Sequence, residues 1–236
     1  MRNHEKVFVM NAVFYYSNTN QSKRIAEYIS EKLSFPLIDI AFYKGEKMEN
    51  SVLVFPVYCQ NIPKAVKSFL SVLKTQALSL LATYGRASHG NVLWEIQKKY
   101  PHAIVAAGYV PTKHTYINEA PFEDFESLVS LIEKIKADKT PIVIKRAFKN
   151  PIADIFPDFR SRMLIKIGRT NACVECGVCT SVCEQKGIEN GKPNSRCIRC
   201  MRCVEKCPKQ ALYFKKGWFL RMYLKHRKKN KLVLYL

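Results

Sequence analysis

Several common sequence features are missing from this chain of 236 residues. It contains no run of about 18 apolar residues, which argues against a membrane-spanning helix. It has neither a Walker-type Gly-Lys-Ser/Thr sequence nor a dinucleotide-binding GxGxxG, and no catalytic triad or carboxylate pair stands out. Acidic residues are few, since 19 Asp and Glu against 39 Lys and Arg give a formal net charge of +20. Residues 1–172 contain only Cys59, so a disulfide framework is excluded there.

The other eight cysteines lie within residues 173–207 and repeat one pattern. The spacing C-x2-C-x2-C-x3-C occurs twice, and Pro208 follows the last cysteine. Three closely spaced thiolates can wrap one corner of a cubane cluster, and in two-cluster ferredoxins, which this spacing resembles, the fourth cysteine ligates the other cluster. The pattern therefore predicts two 4Fe–4S clusters. The first would be held by Cys173, Cys176, Cys179 and Cys207, and the second by Cys183, Cys197, Cys200 and Cys203.

Structural zinc is the alternative for these cysteines. Zinc sites usually combine two short C-x2–4-C units for each ion, whereas this chain has two triple units, each with a fourth cysteine. Residues 170–215 resemble bacterial two-cluster ferredoxins at all eight cysteines, with Glu184 where that family often has proline. The resemblance implies transfer of one electron at a time.

The first 150 residues alternate between predicted strands and helices. Val7–Tyr16 is interrupted by Asn11 and lacks a following small-residue cleavage site, so we expect a first strand and not a signal peptide. This alternation predicts a parallel sheet with helices on both faces. The predicted strands are Val7–Tyr16, Leu37–Ile40, Val52–Val57, Leu78–Thr83 and Ala103–Val110. Helices are predicted around Ile25–Leu33 and at Lys64–Leu73, Asn91–Lys98 and Phe122–Ala137.

The loop after the first predicted strand is rich in hydroxyls and amides. It precedes a helix, whose free N–H groups and dipole favour an anion such as a phosphate monoester. A capped helix without a ligand is the alternative. The candidate residues are Ser17, Asn18, Thr19, Asn20, Gln21 and Ser22.

This loop resembles the phosphate loop of flavodoxins, which reads roughly S/T-x-T-G-N-T. Asn18 and Asn20 replace two glycines, and Asn tolerates positive φ better than most residues. The resemblance implies an FMN whose ring contacts the loops after the third and fourth strands. Tyr58 and Tyr84 can equally be packing residues, and we expect Cys59 to be a small buried hydrophobe. The predicted contacts are Pro56, Val57, Tyr58, Cys59, Gln60, Asn61, Thr83, Tyr84 and Gly85.

The whole layout resembles flavodoxin–ferredoxin fusion proteins of anaerobic bacteria and archaea. The expected fold is a flavodoxin-like, doubly wound, parallel five-stranded sheet followed by a small α+β two-cluster ferredoxin domain. We expect a flavodoxin-like FMN-binding domain at 1–150, a connector at 151–168, a ferredoxin-like domain at 169–215 and a basic C-terminal tail at 216–236.

Three function classes are open. The first is an electron carrier that passes single electrons between two 4Fe–4S clusters and FMN in anaerobic metabolism. The second is an FMN-dependent reductase of a small substrate, which needs a proton donor such as Tyr84, His89 or Tyr116. The third is a basic binding module that contains clusters but no flavin. We expect a cytoplasmic protein.

The basic tail has three interpretations. No acidic residue follows Glu205, and the spacing places Trp218, Phe219, Met222 and Tyr223 on one helical face. This helix could pack on the body of the protein, dock an acidic redox partner, or bind an anionic membrane or nucleic acid. We expect an acidic redox partner; a membrane surface also fits the tail, whereas nucleic acid has only the net charge in its favour.

Overall fold

The computed structural model of this chain describes residues 10–155, 157–226 and 231–236. Residues 7–9 of the first predicted strand lie outside the described residues, as do Arg227, Lys228 and Lys229 of the predicted tail. Within the described ranges, no helix combines the length and the apolar character needed to cross a bilayer.

The first domain alternates strands and helices, as predicted. Its strands are β1 (Met10–Tyr15), β2 (Leu37–Asp39), β3 (Lys47–Pro56), β4 (Lys74–Tyr84) and β5 (Ile104–Pro111). Its helices are α1 (Gln21–Leu33), α2 (Lys64–Val72), α3 (Val92–Lys99) and α4 (Val129–Ala137). The predicted helix at 122–137 begins with a 3-10 turn, because the Asp124 carboxylate accepts the Ser127 N–H and caps that turn.

These five strands are parallel in the order β2-β1-β3-β4-β5. The reversal of strand order between β1 and β3 is that of the flavodoxin-like doubly wound sheet, so the predicted fold class is confirmed. Val13 pairs with Val52, and Val52 pairs with Ser79. The register therefore brings the carboxyl ends of β1, β3 and β4 together at one edge, where ligands of such sheets bind.

The sheet is buried on both faces. Phe14 and Leu53 point into a core shared with α2 and α3, while Val13, Val52 and Val54 point into a core shared with α1 and α4. A strand covered on both faces needs apolar residues at consecutive positions, which explains the unbroken apolar sequence of β3.

The second domain is smaller and has little apolar core apart from its cysteines. Strands β6 (Ile165–Arg169) and β9 (Leu212–Lys216) pair antiparallel, with Ile167 opposite Phe214. Ile165, Ile188 and Met201 pack beside five of the cysteines and Leu212. Its elements are α5 (Pro157–Leu164), β6 (Ile165–Arg169), α6 (Val178–Ser181), β7 (Ile188–Glu189), β8 (Lys192–Pro193), α7 (Arg202–Glu205), β9 (Leu212–Lys216) and α8 (Trp218–Lys225).

Two elements lie where a connector and a tail were expected. Strand β6 begins at Ile165, inside the predicted connector 151–168. Strand β10 (Val233–Tyr235) lies inside the predicted tail, yet it pairs antiparallel with β5 and gives the sheet six strands where five were predicted. Leu234 is opposite Gly108, where an added Cβ would lie 2.9 Å from the Leu234 side chain. Glycine at this position therefore lets the last strand approach the sheet.

Candidate metal and cofactor sites

The first predicted set of cysteines surrounds one cavity. Cys173, Cys176, Cys179 and Cys207 line about 340 Å³ of open space. Every other residue around this cavity also belongs to the second domain, and Cys176 is exposed. We call these four residues the outer quartet.

The second predicted set surrounds a second cavity of about 420 Å³. Its cysteines are Cys183, Cys197, Cys200 and Cys203, which we call the inner quartet. Tyr16 and Asn18 of the first domain also line this cavity. Each cavity thus takes three cysteines from one motif and the fourth from the other. Among the described residues no His, Cys, Asp and Glu side chains form a group placed to hold a single metal ion.

Backbone conformation repeats between the two motifs. Glu175 and Gly177 have φ of +52° and +76°, and the corresponding residues Arg199 and Met201 have φ of +60° and +65°. Left-handed residues alternating with right-handed ones turn successive N–H groups into one concavity, a nest that favours anions. Non-glycine residues rarely adopt positive φ. Its occurrence at matching positions of the two motifs indicates that both loops have the same backbone shape beside their cysteines.

Each quartet also receives a backbone hydrogen bond at its fourth cysteine. The N–H of Gly187 lies 3.1 Å from the sulfur of Cys183, and the N–H of Ala211 lies 3.3 Å from the sulfur of Cys207. Such N–H donors stabilise negative charge on sulfur.

The inner quartet is the more buried of the two sites. Burial raises the pKa of the Cys200 thiol to about 11 and that of Cys203 to about 12. These residues therefore become thiolates at neutral pH only when a cationic group binds them.

Two charged residues hold the inner quartet against the first domain. Arg202 and Glu184 each lie next to a cysteine of this quartet. The Arg202 Nη2 donates to the Ser17 carbonyl at 2.9 Å, and its Nη1 donates to the Glu184 carboxylate. The Tyr16 hydroxyl donates to the second oxygen of that carboxylate at 2.8 Å. The loop after β1 and the inner quartet are thus joined by two hydrogen bonds, and the pairing of Arg202 with Glu184 links the two.

This network continues to the loop after β3. The Asn18 amide donates to the Tyr58 hydroxyl and lies 3.5 Å from the Tyr16 hydroxyl. Burial and the neighbouring Glu184 carboxylate raise the pKa of Tyr16; burial, with Tyr16 and Cys200 nearby, raises the pKa of Tyr58. Both phenols therefore remain protonated at physiological pH.

The predicted phosphate loop keeps its backbone donors available. Asn20 occupies the left-handed region at φ 60° and caps α1 without a side-chain hydrogen bond. Within the described part of the chain, the N–H groups of residues 18–23 have no acceptor. Among the predicted hydroxyl contacts, Ser22 and Thr83 are buried and lie 2.8 Å from each other, so their hydroxyls satisfy one another. The Ser22 hydroxyl is therefore already engaged, whereas the backbone N–H groups of the loop are available to an anion.

The loop after β3 borders a cleft between the domains. Val57 donates its N–H to the Thr83 carbonyl, which fixes the loop to β4. Tyr58, Cys59 and Asn61 line about 840 Å³ of open space. The second domain supplies Gln185 and Ile198 to the same cleft, and Ile198 lies between two cysteines of the inner quartet.

The expectation of a buried Cys59 is wrong. Tyr58 and Asn61 exchange two backbone hydrogen bonds of 3.0 and 2.8 Å, which leaves Cys59 and Gln60 as the two central residues of a tight turn. Both have positive φ, 49° and 65°, as a type I′ turn requires. The turn projects the Cys59 thiol to the surface, where its sulfur lies 3.5 Å from the Ser161 hydroxyl.

The loop after β4 does not line the cleft between the domains. Tyr84 is buried and its hydroxyl donates to the Lys231 carbonyl, while the His89 ring stacks on Tyr109 with 3.6 Å between ring centroids. Gly85 packs against His114, where an added Cβ would lie 2.6 Å from the imidazole ring. The Tyr116 hydroxyl donates to the backbone of the second domain. None of the three candidate proton donors lines the cleft.

The sequence did not identify the residues that join the domains. Tyr16 pairs with a carboxylate 168 residues away, and Tyr116 donates to the Arg199 carbonyl at 2.8 Å across 83 residues. Arg199 is itself buried; its Nε donates to the Ile165 carbonyl, and its Nη1 has no partner among the described residues. The one available signal was the occurrence of charged residues directly beside ligand cysteines.

Comparisons with known proteins agree with the second domain. Residues 193–213 match a model described as a 4Fe-4S binding domain. The search of curated proteins gave no match.

Similar solved structures cover the first domain. A flavodoxin from the domain Archaea is 14% identical with a TM-score of 0.42, covering 54% of this chain and 99% of its own. A putative flavoprotein from Bacteroides uniformis is 15% identical with a TM-score of 0.40, covering 52% and 98%. The rubredoxin oxygen:oxidoreductase of Desulfovibrio gigas is 14% identical with a TM-score of 0.39; the match covers 53% of this chain and only 35% of that protein. The strand order and the 4Fe–4S match together show that this chain joins a flavodoxin-like fold to a ferredoxin-type iron–sulfur domain.

Proposed function

We propose that this protein is an electron carrier that passes single electrons between two 4Fe–4S clusters and an FMN bound at the carboxyl edge of the parallel sheet. The observation that carries the proposal is the contact between the inner quartet and the loop after β1. Tyr16 and Asn18 line the inner cavity, and Arg202 donates to the same loop at Ser17. When bound, the clusters supply one-electron redox chemistry.

The two quartets have different positions in this proposal. Only second-domain residues line the outer cavity, and its Cys176 is exposed, so this site is open to an external donor or acceptor. The inner cavity borders the first domain. We therefore assign the outer quartet to exchange with a partner and the inner quartet to exchange with the flavin. A net charge of +20 supports a partner with an acidic docking surface.

The first domain has donors that suit the phosphate of an FMN, and it borders a cleft with the second domain. The unpartnered N–H groups of residues 18–23, at the positive end of the α1 dipole, suit a phosphate. The interdomain cleft places Tyr58, Cys59 and Asn61 beside Ile198 of the inner loop. A ring there would be held by the first domain and would contact the inner loop. Tyr84 has no part in this assignment, because it is buried against Tyr109 and its hydroxyl is bonded to a backbone carbonyl.

The cysteines are free in the structure, as cluster ligation requires. Thiols persist in the reducing cytoplasm, which supports a cytoplasmic location for this carrier.

Anaerobic purification followed by iron, sulfide and flavin determination tests the proposal. Two clusters require about eight iron atoms per chain. Cys176→Ser and Cys200→Ser should each lose about half of that iron, whereas Cys59→Ser, the one cysteine outside both motifs, should retain it. Iron without FMN would contradict the relay to a flavin. Equal iron in Cys176→Ser and the unmodified protein would contradict the ligand assignment.

The route can be tested with the same variants by following flavin and cluster absorbance separately. A chemical reductant added to the Cys200→Ser variant should reduce the outer cluster, while flavin reduction becomes at least about tenfold slower because the intermediate centre is missing. Flavin reduction at the unmodified rate would show that electrons reach the ring without the inner quartet.

A further inference from the structure

Helix α8 has an apolar face that nothing in the described part of the chain covers. Leu224 is buried, four residues after Leu220, which packs on the core of the second domain. The opposite side presents four large side chains to solvent. They are Trp218, Phe219, Met222 and Tyr223, with exposed fractions of 75%, 65%, 40% and 48%.

The exposed surface extends beyond α8. The Gly217 N–H donates to the Leu164 carbonyl at 2.8 Å, so the start of α8 lies beside the end of α5. Met163, the neighbour of Leu164, is 64% exposed. An exposed apolar helix face of this kind marks a site of interaction, because exposing it to water is unfavourable.

Positive charge surrounds this apolar surface. Lys215 and Lys216 precede α8, and Arg221 and Lys225 lie on it. In the sequence, five of the seven residues 225–231 are Lys or Arg, and no Asp or Glu occurs after Glu205. The partner of this surface must therefore be both apolar and negatively charged.

We propose that α8 binds the surface of an anionic lipid bilayer. Trp218, Phe219, Met222 and Tyr223 form two adjacent pairs one helical turn apart, which gives a short, broad face that can lie flat in the interface. A helix bound in a protein groove instead uses a narrow ridge at i, i+3/i+4 and i+7. Aromatic residues on one face with Lys and Arg beside them are typical of interfacial helices, and clustered basic residues select anionic lipids. This binding does not depend on the proposed redox function.

Tryptophan fluorescence reports this binding directly, because the chain has only two tryptophans. Trp94 packs against the core of the first domain and under Arg146, so it is replaced by Phe to leave Trp218 as the single reporter. The anaerobically prepared holoprotein is mixed with vesicles of phosphatidylcholine alone or with added phosphatidylserine. We expect a blue shift with phosphatidylserine, an affinity at least about tenfold higher than for phosphatidylcholine alone, and loss of binding at high salt.

Cosedimentation with the same vesicles compares three variants. Trp218→Ser with Phe219→Ser should lower binding at least about tenfold, because the interface loses its aromatic anchors. Arg221→Gln with Lys225→Gln should abolish most of the preference for phosphatidylserine. Val143→Ser with Phe148→Ser removes two apolar residues that are 83% and 81% exposed outside α8, and should bind like the unmodified protein.

Two results would overturn the proposal. One is the absence of cosedimentation with phosphatidylserine vesicles at low salt. The other is a dimer in analytical ultracentrifugation that dissociates in the Trp218→Ser/Phe219→Ser variant while vesicle binding is unaffected by the substitution.

Discussion

Arg202 offers the most direct test of the domain interface. We expect Arg202→Gln to loosen the contact between the two domains while leaving each domain folded. The guanidinium makes three interactions across or beside the interface. It pairs with Glu184, donates to the Ser17 carbonyl, and lies 6.0 Å from the centre of the Tyr16 ring.

The magnitude follows from these interactions. The hydrogen bond from a charged donor to a carbonyl is worth about 1.5–3 kcal/mol. The cation–π contact adds about 0.5–1 kcal/mol. The Arg202 and Glu184 side chains are 19% and 39% exposed, so solvent screening reduces their pairing to at most about 1 kcal/mol. Because Gln retains part of the hydrogen bonding, we expect a loss of about 2–3 kcal/mol, which raises the open fraction of the interface roughly 30- to 150-fold.

Hydrogen exchange with mass spectrometry measures this opening. The peptide covering residues 183–187, which has bonded N–H groups at Cys183, Lys186 and Gly187, should exchange faster in Arg202→Gln, while peptides of β3 and β4 should not change. Arg169→Gln is the matched control, because Arg169 is 29% exposed and pairs with Glu175 within the second domain. Unchanged exchange at residues 183–187 would refute the interface assigned to Arg202.

Three further predictions concern the first domain. Gly90→Ala should destabilise it by about 1–3 kcal/mol in denaturant unfolding, because Gly90 has φ +62° and an added Cβ would lie 2.8 Å from the Gln60 Cβ. Gly45→Ala should cost less, because at φ +94° its added Cβ would meet only the flexible end of Lys74, at 4.0 Å. Burial lowers the pKa of His89 in the folded protein. Below the ordinary pKa of 6.5 the unfolded chain therefore binds more protons than the folded chain, and the free energy of unfolding should decline as the pH falls. His89→Gln should remove this part of the pH dependence of the unfolding midpoint. Ser22→Ala removes the partner of the buried Thr83 hydroxyl and should lower the free energy of unfolding by about 1–2 kcal/mol. Because residues 18–23 offer backbone N–H groups to the phosphate, the same substitution should change FMN affinity less than threefold in fluorescence titration.

The parts of the fold that the sequence predicted are governed by local or periodic signals. Consecutive apolar residues in β3 and β4 follow from burial on both faces, and helical spacing at Ile25, Ile29 and Leu33 gives the buried side of α1. The cysteine quartets belong partly to the same class. The spacing within each motif predicts which three thiols meet, and the resemblance to two-cluster ferredoxins supplied the exchange of the fourth. The structure brings the predicted residues of each quartet around one cavity.

The parts that the sequence did not predict depend on contacts between distant segments. The turn at Cys59 and Gln60 contains neither Gly nor Pro, so no common turn signal marks it. Strand β10 is three residues long and follows a basic segment, so its apolar residues resemble the end of a tail until β5 is available to pair with them. Arg202 and Glu184 look like ordinary surface charges until the domains meet.

The return of the chain to the first sheet bears on the proposed relay. The second domain follows α4 in the chain and precedes β10, which pairs with β5 of the first domain. The second domain is therefore connected to the first domain at both of its ends. The hydrogen bonds of Tyr16 and Arg202 provide a third attachment at the loop after β1, on the other side of β3 and β4 in the sheet order. A domain attached only by a flexible linker would sample many separations, whereas attachments at separate points of one rigid sheet restrict rotation as well as distance. Because electron transfer weakens steeply with separation, such restriction is what a fixed path from the inner quartet to the carboxyl edge of the sheet requires.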